Sequence, residues 1–327
     1  MMKTNDKRIP VTVLTGFLGV GKTTLLNRIL HEHHGGKIAV IENEFGEAGI
    51  DGDLLIQGEE QIVEMNNGCI CCTVRGDLVR ILLELADKRD AGELNFERVI
   101  IETTGLADPA PVAQTFFVEQ DIGIEYRLDA IITVVDAVHA QQQLDEHHEA
   151  QEQVGFADRI LLSKTDLVSA EQTTALTSRL RQINPRASIK SVHFGKTDIH
   201  DILDIHSFNL DDILKIEPDF LENVTHEHDD DISSFVFRSD QAFNQEKLEV
   251  LIGGLLEIYG ANLLRYKGIL NIAGNPNRVI FQGVHMLSGG DDGKPWQADE
   301  KPQTTMVFIG KNLPRKAIED GLNLCLM

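Results

Sequence analysis

The sequence has no run of about 18 consecutive apolar residues, which is the length needed to cross a membrane. Its first eight residues, Met-Met-Lys-Thr-Asn-Asp-Lys-Arg, carry no apolar core of the kind found in secretory signals. We therefore expect a cytoplasmic protein without a membrane partner.

Basic residues are scarce relative to acidic ones. The 327 residues include 30 lysines and arginines against 52 aspartates and glutamates, which gives a formal net charge of -22. A field of this sign repels nucleic acid and anionic membranes. The composition therefore argues against a nucleic-acid partner and is compatible with a soluble protein that meets cations.

Cysteine is also scarce, with four in the chain. Four are too few for a disulfide framework, but three of them, Cys69, Cys71 and Cys72, fall within four positions. Such clustering in a cytosolic protein indicates metal or redox chemistry. The fourth, Cys325, is expected to be a simple tail residue.

One stretch matches G-x-x-x-x-G-K-[ST], the phosphate-binding P-loop, between a predicted buried strand at 9–14 and a predicted helix at 25–30. Its three glycines let backbone N–H groups wrap around phosphates, and the helix N-terminus adds partial positive charge. Lys22 is expected to reach the β- and γ-phosphates, and the Thr23 hydroxyl to hold Mg²⁺. The predicted nucleotide-binding residues of this loop are Gly16, Phe17, Leu18, Gly19, Val20, Gly21, Lys22, Thr23 and Thr24.

A second predicted strand, at residues 98–101, ends in Glu102. This is the Walker B arrangement, in which an apolar strand delivers a carboxylate close to Mg²⁺ and the attacking water. Gly105 would let its backbone N–H approach the γ-phosphate. We expect Lys22, Thr23 and Glu102 to be the catalytic residues.

The segment Ser163-Lys164-Thr165-Asp166 follows a predicted strand and is similar to the guanine-reading N-K-x-D of GTPases. The Asp166 carboxylate can accept hydrogen bonds from both the ring N–H and the exocyclic amine of guanine, a donor pair that adenine lacks. The stem of Lys164 can lie along the ring. Ser163 stands where asparagine is usual, which leaves the discriminating carboxylate in place. The segment predicts GTP as the nucleotide.

An acidic loop with two glycines follows a further predicted strand at residues 37–41. In parallel α/β sheets, ligands collect at the carboxyl ends of the strands. We therefore expect the loop at 42–51 to be a switch loop or a source of metal ligands, with Glu42 and Glu47 as the candidates.

The cysteine cluster lies at or just before the start of a predicted helix. A helix N-terminus favours thiolate, which is the ligand that Zn²⁺ prefers. Cys71 and Cys72 are adjacent and would point to opposite faces of a regular strand, so a turn is needed for them to converge with Cys69. The fourth tetrahedral position is left for water or for a carboxylate such as Glu42 or Glu47. A redox dithiol is the alternative.

Alternating strands and helices indicate an α/β fold, with a P-loop GTPase domain of mostly parallel sheet and flanking helices at residues 9–207. The acidic segment 208–231 is typical of a linker, and its His226 and His228 could bind a metal weakly. Residues 232–327 are predicted to form a smaller α+β domain with two helices and four strands.

Five motifs follow one another along the chain: the P-loop, E-N-E-F-G-E, C-I-C-C, E-T-T-G-L-A-D-P and S-K-T-D. In this order they resemble the motifs of the CobW-type metal-handling P-loop GTPases, and within that family those of the bacterial YjiA subgroup. The resemblance runs nearly end to end, through L-L-R-Y-K-G and M-V-F-I-G. It implies slow GTP hydrolysis and delivery of a metal to a client protein. It also implies Zn²⁺, or another transition metal such as Co²⁺ or Ni²⁺, bound by Cys69, Cys71 and Cys72, with Glu42 and Glu47 linked to Cys71 in that site.

The leading hypothesis is a metallochaperone that couples GTP binding and slow hydrolysis to metal transfer. Its partners would be GTP, a transition metal and an unidentified client, and a homodimer is left open. One alternative is an ATP-dependent kinase or ATPase, against which Asp166 argues. The other is a metal-buffering or stress-response interaction protein with vestigial GTPase activity, against which Lys22, Thr23 and Glu102 argue. No obvious catalytic glutamine follows Gly105, so turnover is expected to be slow and stimulated by metal or a partner.

Overall fold

The computed structural model describes residues 8–31, 37–43, 61–65, 72–193, 195, 197–198, 202–205, 232–297 and 300–327. The chain divides into two compact units. The first spans 1–143, 157–176 and 188–207, and the second spans 144–156, 177–187 and 208–327. The proposed linker at 208–231 lies outside the described residues.

A parallel sheet forms the centre of the first unit. Among the described residues it has seven strands in the order β3-β2-β4-β1-β5-β6-β7, and every neighbouring pair is parallel. The prediction of a mostly parallel α/β sheet is therefore confirmed. The strands are β1 (Ile9–Thr15), β2 (Ile38–Asn43), β3 (Gln61–Met65), β4 (Arg98–Glu102), β5 (Tyr126–Asp136), β6 (Arg159–Ser163) and β7 (Ser188–Ser191).

The central strands of this sheet are buried along almost their whole length and are mostly apolar. In β5, nine consecutive residues from Leu128 to Asp136 are buried, and β1 is buried at every position except Pro10. Strands in the middle of a parallel sheet are covered on both faces, which is why they appear as continuous apolar runs rather than as alternating patterns. The few polar side chains at their carboxyl ends therefore stand out.

Helices connect these strands. Leu25, Leu26 and Ile29 of the first helix belong to one buried cluster with Leu14 and Ile132 of the sheet, so packing sets the position of the helix N-terminus. None of the helices in the described part of the chain is long and apolar enough to span a membrane. They are α1 (Lys22–His31), α2 (Cys72–Asp90), α3 (Ala110–Val118), α4 (Gln120–Glu125), α5 (Ala140–Glu146), α6 (His148–Phe156) and α7 (Ala170–Ile183).

The second unit contains an antiparallel sheet with the order β11-β10-β9-β12-β8. Its elements are β8 (Ile232–Ser239), α8 (Gln245–Tyr259), β9 (Leu263–Leu270), β10 (Asn277–Val284), β11 (Leu287–Pro295), β12 (Thr304–Lys311) and α9 (Arg315–Leu324). The two predicted helices are present, but the prediction of four strands was wrong because β11 is a fifth. Its sequence, Leu-Ser-Gly-Gly-Asp-Asp-Gly-Lys-Pro, has no apolar alternation. β11 is a strand because its backbone hydrogen-bonds to β10 at the edge of the sheet. Backbone hydrogen bonds of this kind do not require alternating apolar side chains.

The C-terminal tail is part of the core of this unit. Cys325 is buried in a cluster with Phe243 and Ile318, and its Sγ lies 3.3 Å from the Gly321 carbonyl oxygen. Burial raises the pKa of this thiol. Cys325 is a tail residue, as expected, but it is buried because the chain beyond α9 folds back along the segment 242–244.

Candidate functional site

The P-loop connects β1 to α1 in a backbone conformation that requires glycine. Gly16, Gly19 and Gly21 have φ values of 142°, 70° and 102°, which residues with a side chain rarely adopt. A Cβ at Gly16 would lie 2.3 Å from the Val134 carbonyl oxygen, so no side chain fits there. The first turn of α1 has no acidic residue, which leaves its positive dipole end available to an anion.

Lys22 holds its ammonium group directly over this loop. Its Nζ donates hydrogen bonds to the carbonyl oxygens of Gly16 at 2.8 Å and Phe17 at 3.2 Å, and the residue is only 9% exposed. The predicted phosphate-binding cation therefore lies at the loop whose N–H groups would wrap the phosphates.

Thr23 and Glu102 meet at the carboxyl end of the sheet. The Thr23 hydroxyl donates to Glu102 Oε1 at 3.4 Å, although the two residues are 79 positions apart. Glu102 ends β4, in register with Leu14 of β1. The next residue, Thr103, secures this position because its hydroxyl donates to the Thr15 hydroxyl at 2.9 Å. A hydroxyl and a carboxylate at this spacing are hard oxygen ligands of the kind that Mg²⁺ takes.

The loop after β4 touches the P-loop at Gly105. A Cβ at this position would lie 2.6–2.8 Å from Leu18, including 2.7 Å from its backbone nitrogen. Only glycine permits this approach of two backbones. Next to it, the Thr104 hydroxyl oxygen is buried and has no hydrogen-bond partner among the described residues. It is a polar group available to a ligand at the phosphate end of the site.

Two side chains tie the predicted guanine-reading segment to the P-loop. The Ser163 hydroxyl donates to the Val20 carbonyl oxygen at 2.7 Å, so the residue that replaces the usual asparagine makes a P-loop contact. Lys164 Nζ donates to the Gly19 carbonyl oxygen at 2.9 Å and to Asp136 Oδ2 at 2.7 Å. The base-reading segment and the phosphate-binding loop are thus joined directly.

Asp136 is a buried carboxylate that the sequence prediction did not include among the site residues. It is 2% exposed, its Oδ1 accepts the Val138 N–H at 2.8 Å, and its Oδ2 lies 2.9 Å from His139 Nδ1. Burial alone would raise the pKa of Asp136, but hydrogen bonds from Lys164, His139 and the Val138 N–H outweigh burial and lower this pKa. The signal that could have found it is its place at the end of a buried strand, as for Glu102.

Asp166 lies in a 3-10 turn, Thr165–Leu167, with a side chain that is 40% exposed. Its Oδ1 is 3.2 Å from Nδ1 of His193, which follows β7. Gly195, with φ 70°, brings the same loop against α1, where a Cβ would lie 3.2 Å from the Thr24 carbonyl oxygen. The carboxylate is therefore accessible to a base, with the loop after β7 on one side.

Only part of the predicted metal site is described. Glu42 is the second-to-last residue of β2 and is 5% exposed. It faces the α1 side of the sheet, because Ile38 and Val40 on the same strand face belong to the core cluster of α1. Cys72 is the first residue of α2. Glu47, Cys69, Cys71, His226 and His228 lie outside the described residues. Within the described part of the chain, no group of three or more His, Cys, Asp or Glu side chains is placed to hold a metal.

Glu42 is the register partner of Glu102 on the neighbouring strand β4. Adjacent parallel strands are about 4.8 Å apart, and partners in register point to the same face. The predicted metal ligand and the predicted Mg²⁺ ligand are therefore side by side. The strand order β2-β4-β1 creates this arrangement.

Comparison with known proteins covers both units. The family model for the CobW/HypB/UreG nucleotide-binding domain matches residues 10–191, and that for the cobalamin synthesis protein cobW C-terminal domain matches residues 232–326. The chain is 46% identical over 311 residues to the zinc chaperone YjiA of Escherichia coli (strain K12), covering 95% of this chain and 96% of that one.

Solved structures of that relative have the same overall fold. The Zn(II)-bound YjiA GTPase from E. coli gives a TM-score of 0.79 at 41% identity, covering 98% of this chain and 100% of that chain. A Zn(II)-bound triple mutant of YjiA, with one glutamate and two cysteines replaced by alanine, gives a TM-score of 0.80 at 40% identity with the same coverage, 98% and 100%.

Proposed function

Because the chain belongs to the CobW/HypB/UreG family, we propose that it hydrolyses GTP and uses the nucleotide state to hold and release Zn²⁺ for a client protein. Membership confirms the resemblance inferred from the motifs. One observation carries the proposal: the P-loop, Glu102 and the base-reading segment meet at the carboxyl end of the parallel sheet. Glu42 lies beside Glu102 there. Relatives named as zinc chaperones support zinc as the cargo.

In this proposal the phosphates lie in the P-loop. Lys22, now bonded to the Gly16 and Phe17 carbonyl oxygens, is within reach of the β- and γ-phosphates. Backbone N–H groups of the loop and of Gly105 would surround the γ-phosphate. Lys22 is the basic residue among the P-loop residues 16–24, so it supplies the positive side chain of the loop. This charge would stabilise negative charge as the bond to the γ-phosphate breaks.

Thr23 and Glu102 fit Mg²⁺, since their 3.4 Å contact places a hydroxyl and a carboxylate together. When bound, the ion would neutralise charge on the phosphates. Glu102 would also orient the attacking water, because its carboxylate is fixed at the end of β4. No glutamine takes that role in our proposal, which is consistent with slow intrinsic turnover.

Guanine recognition is assigned to Asp166 and Lys164. The Asp166 carboxylate would accept from guanine N1–H and N2–H, and the Lys164 stem would cover one face of the ring. The hydrogen bond from Lys164 Nζ to the Gly19 carbonyl oxygen supports this assignment, because the Lys164 side chain then spans from the base-reading turn to the P-loop.

We expect the protein to bind GTP at least about tenfold more tightly than ATP, because a bidentate polar pair to a base is worth about 1–3 kcal/mol. Asp166→Ala should abolish this preference and leave phosphate binding in place. The measurement is the competition of GTP and ATP against a fluorescent guanine nucleotide. Asp240→Ala, which removes an exposed aspartate of the second unit, is the matched control. Equal affinities in the parent protein would refute guanine recognition.

The metal site is proposed to comprise Cys69, Cys71 and Cys72 with Glu42 or Glu47. Thiolates bind Zn²⁺ strongly, and a helix N-terminus favours the thiolate form of a cysteine. The start of α2 at Cys72 supports the proposal on that ground. Co²⁺ and Ni²⁺ take overlapping ligand sets, so they belong in the same binding measurements.

We expect coupling between the two sites, and the register pairing of Glu42 with Glu102 supports it. A γ-phosphate and Mg²⁺ that engage Thr23 and Glu102 would change the charge beside Glu42. Metal affinity would then differ between the GTP and GDP states, and by linkage the metal would change the GTP-to-GDP affinity ratio by the same factor. One nucleotide state would hold the metal, and the other would let a client take it.

We expect zinc affinity to differ by about 5–150-fold between the protein bound to GDP and the protein bound to a non-hydrolysable GTP analogue. Competition with a chelator, at verified nucleotide saturation, measures both values. Glu42→Gln should shrink the difference, whereas Glu93→Gln, at an exposed glutamate after α2, should preserve it. Identical zinc affinities in both states of the parent protein would mean two independent sites and would remove the switch.

A further inference from the structure

We propose that Asp136 is a positioning residue for guanine recognition, which holds Lys164 in place between the base-reading turn and the P-loop. The inference rests on the proposed function, because it concerns the guanine end of the same nucleotide site. It adds a residue that touches neither base nor phosphate and that acts through Lys164.

The contact geometry supports this role. Asp136 is the last residue of β5 and is 2% exposed. Its Oδ2 accepts a hydrogen bond from Lys164 Nζ at 2.7 Å, and the same Nζ donates to the Gly19 carbonyl oxygen at 2.9 Å. One ammonium group therefore joins the end of a central strand, the base-reading segment and the P-loop. Because both the backbone and the ammonium group of Lys164 are fixed, its aliphatic stem has a fixed position against which a guanine ring could pack.

Lys164 also needs such a partner because of its backbone. Its φ of 57° and ψ of 26° place it in the left-handed region, which costs free energy in a residue with a side chain. The turn that carries Asp166 begins immediately after it. The two hydrogen bonds of Nζ favour this conformation, so the position of the Asp166 carboxylate depends on the Lys164 anchor.

The charge on Asp136 makes the anchor strong. The Val138 N–H and His139 contact the same carboxylate at 2.8 Å and 2.9 Å, and the pKa of Asp136 is lowered despite its burial. The carboxylate is therefore ionised at neutral pH. A hydrogen bond between two charged groups is about twice as strong as one between neutral groups.

A separate contact keeps the loop attached when Asp136 is altered. The Ser163 hydroxyl donates to the Val20 carbonyl oxygen at 2.7 Å and does not involve Asp136. Asp136→Asn keeps the size of the side chain and removes its charge. This variant should therefore retain the P-loop connection and change chiefly the hold on Lys164.

The test compares a guanine nucleotide with a phosphate chain that has no base. Asp136→Asn should weaken GDP binding about tenfold and change the affinity for inorganic tripolyphosphate less than twofold. Asp240→Asn is the matched control, because it removes an aspartate that pairs with Lys301 in the second unit, and it should change neither affinity. Thermal unfolding of each variant establishes that it is folded. Unchanged GDP affinity would overturn the proposal, and so would an equal loss of tripolyphosphate affinity.

A double-mutant cycle provides the second measurement. Lys164→Met keeps the length of the stem and removes the ammonium, so adding Asp136→Asn to it should weaken GDP binding by less than twofold further. If the two substitutions instead reduced GDP affinity independently, so that the fold-losses of the single variants multiplied in the double variant, Asp136 would not act through Lys164. If the parent protein does not prefer GDP to ADP, the guanine assignment itself fails. If it does, and the cycle shows no coupling, only the role of Asp136 fails.

Discussion

Lys22→Ala should lower the single-turnover rate of GTP hydrolysis by about a hundredfold to a thousandfold. The ammonium of Lys22 is held at the P-loop by the Gly16 and Phe17 carbonyl oxygens and is mostly buried. A fixed donor of this kind stabilises charge that develops in the transition state, and removing one such donor costs about 10²–10³ in rate. The measurement is release of phosphate from GTP with enzyme in excess and with nucleotide saturation verified.

Lys301→Ala is the matched control for this experiment. Lys301 is an exposed lysine of the second unit that pairs with Asp240, so its loss should leave the hydrolysis rate unchanged. A Lys22→Ala protein that hydrolyses GTP within threefold of the parent rate would place the reaction outside the P-loop. A parent protein that binds GTP without hydrolysing it, even with zinc present, would favour the alternative of a metal-buffering protein with vestigial GTPase activity.

Replacing Cys69, Cys71 and Cys72 together by serine should weaken the tight zinc site by at least about a hundredfold. A hydroxyl is a poor substitute for a thiolate, and even changes in the groups around metal ligands cost 10–100-fold in affinity. Cys71→Ser alone should already remove tight binding. Zinc affinity and stoichiometry, measured against a chelator that competes only with the tight site, provide the readout.

The fourth cysteine supplies the control. Cys325 is buried in the second unit, beside the Gly321 carbonyl, and Cys325→Ser should leave the zinc affinity unchanged. The chelator is needed because a triple mutant of YjiA that lacks one glutamate and two cysteines is itself described as Zn(II)-bound. Zinc bound at crystal concentration is thus a weaker criterion than affinity.

Loss of His226 and His228 should remove at most weak zinc binding. An unchanged tight stoichiometry in the triple serine variant would refute the cysteine site.

Local spacing in the sequence was enough to predict the phosphate end of the site. The P-loop is a contiguous signature whose glycines, lysine and threonine act through backbone conformation and helix direction, and both are local properties. The apolar runs that became β1, β4 and β5 are equally local, because a strand buried on both faces needs no particular neighbour to be recognised. These features predicted the fold class and the family, both of which are confirmed, and they predicted the nucleotide site.

Only the tertiary structure decided which strand ends stand next to each other. Asp136 meets Lys164 across 28 positions, and Lys164 meets Gly19 across 145, so no window of sequence contains either contact. The pairing of Glu42 with Glu102 exists because β4 lies between β2 and β1. Strand order is set by the packing of the whole sheet, and periodicity along one segment carries no information about it. The same reason applies to β11, which is a strand because its backbone hydrogen-bonds to the neighbouring strand β10.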